Sequence, residues 1–198
     1  MFRVLISSVV PFLGWYIIFQ GTFLDFWQRF AIITFVLALY ALVMGGDKKF
    51  RFNKYELAVS VFVIFLSYFL FWILKFIVKF IPVLNEDVKA VYELAKGYDL
   101  PYIMVFLILI ASFEEIFWRG YLTKLYLEKV NNPLMAIIYS SLLYGLVHIF
   151  SGNIALVLSG IIFGGIMSLL YFVFGKVVVN IIVHAAWSVL IFLLLPLM

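Results

Sequence analysis

An all-α bundle that crosses a membrane about seven times is the fold this sequence predicts, and three observations predict it. Hydrophobic residues make up 67% of the 198-residue chain and charged residues only 12%, a balance foreign to soluble domains. The apolar runs approach the 20 or so residues needed to cross about 30 Å of hydrocarbon. Short turns marked by Gly, Pro and Asn separate them and leave almost nothing for a soluble domain. The formal charge of +4, from 14 Lys and Arg against 10 Asp and Glu, suits anionic lipid headgroups, so the lipid bilayer is one partner. No basic-aromatic platform is present for nucleic acid. The chain has no cysteine, which excludes disulfides, thiolate nucleophiles and cysteine zinc sites.

The first span runs from Met1 to Gln20, too long and too aromatic for the core of a signal peptide. A turn over Gly21 to Gln28 leads to the second span, Phe30 to Met44, which Gly45-Gly46 ends. Lys48, Lys49, Arg51 and Lys54 crowd the next loop, and the positive-inside bias places it in the cytoplasm, with the N-terminus expected opposite. The third span is Leu57 to Ile81, where Lys75 and Lys79 sit four apart and snorkel along one face. Pro82 closes it, and Asn85 is the expected N-cap of a short amphipathic helix with Glu86 and Asp87 in its first turn. Such a helix lies in the membrane plane, either as structure or as a gate on lateral access. Residues 1–100 thus form an N-terminal set of spans plus an interfacial helix, and 101–198 a second unit.

The fourth span starts near Pro101 and continues to about Val130, where Asn131-Asn132-Pro133 stops it and starts the fifth, Leu134 to Phe150. Ser151-Gly152-Asn153 is so short a turn that the sixth span must return beside the fifth. Gly160, Gly164 and Gly165 give it a surface on which backbones approach closely. Gly175-Lys176 ends that span, and Val177 to Leu195 is the last.

Charge inside these spans needs a reason, because burying it in hydrocarbon is costly. Glu114, Glu115 and Arg119 stand at the end of a run of the fourth span, Tyr102 to Phe113, that otherwise carries no charge. On a helix Glu115 and Arg119 share a face, whereas Glu114 is turned about 100° away. Arg119 can therefore neutralise Glu115 and leave Glu114 free to accept a proton as a general base. Both histidines of the chain, His148 and His184, also lie inside apolar spans. At 1.5 Å per residue from the expected cytoplasmic ends, Glu114, His148 and His184 fall at depths of about 15, 20 and 12 Å, which suggests one shared site. Tyr144 lies one helical turn from His148, and Asn180 and Ser188 one turn either side of His184, so each histidine has a polar neighbour able to fix its tautomer or complete a donor pair.

The order Glu114-Glu115-x-x-x-Arg119, then Tyr144-x-x-x-His148, then His184-x-x-x-Ser188 resembles the three-motif pattern of the CPBP family of intramembrane proteases. That family includes the type II CAAX prenyl endopeptidases and the bacteriocin-processing or self-immunity proteins, also called Abi. The resemblance covers about Pro101 to Met198. It implies a multi-pass protein of a prokaryotic cell membrane that hydrolyses a membrane-associated or prenylated peptide without a metal cofactor. It also implies roles: Glu114 and His148 activate water, and His184 with Ser188, where the prenyl proteases carry asparagine, stabilise the oxyanion. Supporting positions are Glu115, Arg119, Tyr144 and Asn180. The residues by themselves leave alternatives open. One carboxylate and two histidines also make a catalytic zinc set, with Glu114, His148 and His184 as ligands. A non-catalytic immunity or scaffold protein would use the cluster to bind a peptide or hold its bundle together, and a small transporter would use it as a proton relay, although no internal repeat is visible.

Overall fold

The structure, a computed structural model, describes residues 2–197. Helices α1 (Phe2–Gln20), α2 (Phe26–Val43) and α3 (Lys54–Val78) come first, and the shorter α4 (Pro82–Glu93) follows. Helix α5 (Leu100–Phe117) continues through a π-helical turn, Trp118–Thr123, into α6 (Lys124–Lys129). Helix α7 (Pro133–Leu146) ends in a 3-10 turn, Val147–Ser151, before α8 (Ile154–Phe174) and α9 (Val177–Val189). Among the described residues, seven helical stretches are long and apolar enough to cross a membrane, as the hydropathy pattern requires. The chain is an integral, multi-pass membrane protein.

Local chemistry explains the starts and stops. Asp25 caps α2 by accepting from the Gln28 amide, so the second span begins four residues before the expected Phe30. Asn53 and Glu56 form a reciprocal capping box at the start of α3. Helix α4 departs from expectation. Its first residue is Pro82, placed where a missing N–H costs nothing, and Asn85 lies inside the helix rather than at its cap. Asp87 serves a different helix: its Oδ2 accepts from the Ile154 and Ala155 amides at the N-terminus of α8, at 2.7 and 3.2 Å. That carboxylate complements the positive end of α8 and ties α4 to it.

The basic loop between α2 and α3 is a clamp. Asp47 is buried; its amide donates to the Gly120 carbonyl and its Oδ2 accepts from the Val177 amide at 2.9 Å, capping α9 from 130 residues away. Lys49 donates to the Gly175 carbonyl, Lys124 to the Gly45 carbonyl, and Lys176 pairs with Glu56. Arg3 donates to the Met44 carbonyl and to the Tyr121 hydroxyl. The N-terminus and the basic loop therefore share one side, which corrects the expectation that they face opposite sides. Two crossings, α1 and α2, return the chain to the side it started from. Arg3 thus adds to the basic cluster instead of opposing it.

Helix α7 packs along α8, α5 lies between α2 and α9, and α3 flanks α9. One apolar core draws Trp15, Ile18, Leu37 and Ile64 from the first three helices together with Phe117, Trp118, Val147, Phe163, Met167 and Val183. A second, smaller one joins Trp27 and Ala31 to Ile103, Leu107 and Ile110. Close approach of α7 and α8 depends on Gly145. A Cβ there would stand 2.7 Å from the Ile161 amide nitrogen and 2.8 Å from the Val157 carbonyl, closer than side-chain carbons approach backbone.

Candidate active site

Glu114 and Glu115 occupy successive positions near the middle of the long α5 to α6 rod, both buried. The 100° step between them sends them to different neighbours. Glu115 receives the Arg119 guanidinium at 2.9 Å, and both side chains are fully enclosed. Arg119 also donates to the Gly164 carbonyl at 3.3 Å and places its guanidinium 4.3 Å from the centre of the Tyr144 ring. The expected intrahelical pair is present, but Glu115 does more: its Oε1 accepts from His184 Nδ1 at 2.7 Å. Glu115 is thus the hub joining α5 to α9.

Glu114 points into the space left by that hub. Its Oε2 accepts from the Tyr144 hydroxyl at 3.1 Å and lies 3.7 Å from His184 Nε2, while Oε1 has no hydrogen-bond partner among the described residues. The two ring nitrogens of His184 therefore face the two glutamates separately. Arg119 supplies the counter-charge for Glu115, the condition for keeping that carboxylate charged inside a bundle.

His148 lies in the terminal 3-10 turn of the fifth span, three residues before Ser151, rather than within the body of the helix. Its Nδ1 is 2.9 Å from the Tyr144 carbonyl. A carbonyl only accepts, so Nδ1 carries the proton and Nε2 presents its lone pair. Tyr144 fixes the tautomer through its backbone, leaving its hydroxyl for Glu114. The rings of Trp15 and Tyr144 meet the imidazole edge-on at 5.7 and 5.6 Å, so α1 supplies a wall that the spacing of the motifs did not announce.

The expected partners of His184 separate. Ser188 stands on the cavity wall, as expected. Asn180, in contrast, donates to the Met167 carbonyl at 2.7 Å, fastening α9 to α8, and makes no hydrogen bond to His184 among the described residues. One helical turn along α9 was enough to place Asn180 on the neighbouring helix instead of over the site. Gly160 and Gly164 have a local reason to be small. A Cβ at 160 would come within 3.3 Å of His148 Nδ1, and one at 164 within 2.9 Å of the Tyr144 ring. These glycines make room for site side chains as well as for backbone packing, whereas a Cβ at Gly165 would meet only the Ser141 hydroxyl at 3.4 Å.

Glu114, Tyr144, His148, His184 and Ser188 line one cavity of about 470 Å³ that runs outward between α3, α4 and α8. Phe163 stacks on Trp187 along it and stands edge-on to His184. Among the described residues no three His, Asp or Glu donors are grouped so as to hold a metal ion. His184 Nδ1 is committed to Glu115 and His148 Nδ1 to a carbonyl, which leaves Glu114 and the two Nε2 atoms as the remaining donors.

Fold and site together define a multi-pass helical membrane protein with a buried polar centre in its last four spans. Residues 96–190, just under half of the chain, match the family described as type II CAAX prenyl endopeptidase, Rce1-like, and over that segment the chain is similar to it. No curated protein and no solved structure matches the chain. The matched segment, Lys96 to Leu190, holds every candidate residue from Glu114 to Ser188 and leaves α1 to α4 outside.

Proposed function

We propose that the chain is an intramembrane endopeptidase in which Glu114 and His148 activate a water molecule and His184 with Ser188 stabilises the oxyanion. The observation that carries this reading is the arrangement of Glu114: a buried carboxylate on a cavity wall, with one oxygen steered by Tyr144 and the other without a hydrogen-bond partner among the described residues. In the proposed reaction Glu114 Oε1 takes a proton from water as its oxygen attacks the scissile carbonyl carbon. His148 Nε2, held as an acceptor by the Nδ1 hydrogen bond, shares that proton and delivers it to the leaving amine as the C–N bond breaks. In this reaction His184 donates Nδ1–H to Glu115 and Nε2–H to the developing oxyanion, and the Ser188 hydroxyl adds a second donor. Glu115 and Arg119 are positioning residues, since they reach the reacting atoms only through His184 and Tyr144.

The substrate is a membrane-borne peptide, because the cavity opens among helices and is lined mostly by apolar side chains. The cavity mouth lies on the α4 side, opposite the basic loop. With that loop in the cytoplasm, the substrate approaches from the other face of the membrane. A prenylated peptide is one candidate, as the family description suggests for its members.

The test is cleavage of lipid-modified and unmodified membrane peptides by the reconstituted protein, with products identified by mass and metal content measured on the same preparation. We expect hydrolysis that survives chelation. Stoichiometric zinc whose removal abolishes cleavage would replace the metal-free chemistry with Glu114 and the two histidines as ligands. Absence of cleavage with retained peptide binding would favour the immunity or scaffold reading.

A further inference from the structure

The cavity that begins at Glu114 ends at a basic rim contributed entirely by residues outside the segment matched to the family. Lys79, which closes α3, and Lys89, on α4, line that end together with Asn85, one turn before Lys89. Between rim and site the wall is mostly apolar, with Phe71, Leu74, Val88 and Leu158 among its residues, and Lys75 and Ser159 are its polar members there. Ring contact between Phe71 and Trp187, at 5.1 Å, sets the two helices in register. Lys79 is eight residues beyond Phe71, about 12 Å along the helix, and His184 lies three residues, about 4.5 Å, deeper than Trp187. The rim therefore stands roughly 16 Å above the histidine, at the depth of lipid headgroups.

Three features distinguish these lysines from side chains that merely snorkel. They converge from two different helices on one cavity. Neither enters an ion pair among the described residues, since Glu93 is taken by Lys96, Asp87 caps α8, and Glu86 is not on the cavity wall. Beneath them lies an apolar chamber that opens sideways, where Ile77, Leu158 and Ile162 remain exposed to the surroundings of the bundle. Phe80, Ile81 and Val83, at the same turn, are exposed too and dip into the boundary between headgroups and acyl chains. A small anion would satisfy the rim and leave the chamber unfilled. An amphiphile with an anionic head and an apolar tail matches both.

We propose that Lys79 and Lys89, with Asn85, hold the phosphate of an anionic membrane phospholipid whose acyl chain occupies the apolar part of the cavity. A bound lipid then stands on the path a substrate takes to Glu114, and substrate must displace it. The proposal concerns the cavity alone and holds whether or not the site hydrolyses peptides.

Lipid retention tests it directly. Wild-type protein, Lys79→Gln/Lys89→Gln, Lys79→Arg/Lys89→Arg and the control Lys48→Gln/Arg51→Gln on the opposite basic loop are released from nanodiscs containing phosphatidylglycerol, and bound lipid is counted by native mass spectrometry. A charge at the headgroup layer contributes about a fivefold change in affinity, so the glutamine pair is expected to bind phosphatidylglycerol roughly 25-fold more weakly. The arginine pair and the loop control should retain it as the wild type does, and inorganic phosphate should not displace it. Equal retention by the glutamine pair, an equal loss in the loop control, or displacement by inorganic phosphate alone would overturn the proposal. The glutamine side chains are polar and exposed at these positions, so folded yield by gel filtration should match the wild type and keep the comparison interpretable.

Discussion

Tyr144 performs three separate tasks with one side chain and its backbone, and the first can be separated from the others by substitution. Its hydroxyl steers Glu114, its ring receives Arg119, and its carbonyl fixes the His148 tautomer. Tyr144→Phe removes only the first. We expect turnover to fall about 2- to 10-fold, the worth of one net hydrogen bond, with thermal stability unchanged. A loss as large as that of Glu114→Gln would make the hydroxyl a proton donor in its own right. Arg119 is the opposite case. Replacing it with leucine strands Glu115 inside the bundle at a cost of about 3 to 5 kcal/mol, so folded yield in detergent should drop together with activity. Normal yield with a selective loss of turnover would assign Arg119 to the chemistry. At this scale the sequence was legible where partners are near in the chain. The pairing of Glu115 with Arg119 follows from a four-residue spacing, but the bond from His184 to Glu115 spans 69 residues and no periodicity encodes it. The same limit explains Asn180, whose spacing placed it beside His184 but whose amide reaches the next helix.

Helix α9 owes its position to groups distant in sequence, and its stability should reflect them. Lys176 offers no side-chain cap at its start, and the Asp47 carboxylate fills that role from the basic loop. Asp47→Ala should lower unfolding free energy by about 0.5 to 2 kcal/mol, the ordinary worth of a helix cap, and Asp47→Asn should recover most of it because an amide oxygen also accepts. A differential scanning melt of the two variants checks this, and identical melts for alanine and wild type would contradict it. Glycines of the α7 and α8 pair provide a graded series. Gly145→Ala drives a methyl against the α8 backbone and should cost about 1 to 3 kcal/mol, whereas Gly165→Ala, which meets only a serine hydroxyl, should be close to neutral. Helix limits were readable to within a few residues because Gly, Pro and Asn mark them chemically. The start of α4 was misplaced because Pro82 serves equally as the end of one helix and the first residue of the next.

Seven spans and their order were legible from hydropathy alone, since hydrocarbon thickness imposes span length whatever the packing. The contribution of the first three spans to the site was not: Trp15 against His148, and Phe71 against Trp187, are contacts between segments with no shared motif. The common side of the start of α1 and the basic loop was legible but misread, since it needs only the parity of the two crossings between them. The absence of native cysteine makes the orientation measurable with single introduced thiols. Cysteine at Lys48 and cysteine at Glu93 should react with impermeant maleimide from opposite sides of sealed vesicles, the first from the cytoplasmic side; labelling of both from one side would contradict the topology. The central claim is that Glu114 is the base of a hydrolytic site, and one comparison addresses it most directly: wild type and Glu114→Gln, reconstituted in the same vesicles, with peptide binding and peptide cleavage measured on each sample. Glutamine keeps the shape and the hydrogen bond from Tyr144 but cannot take a proton, so binding should be preserved while cleavage falls by about 10² to 10⁴-fold. Equal cleavage by the two proteins would contradict the account.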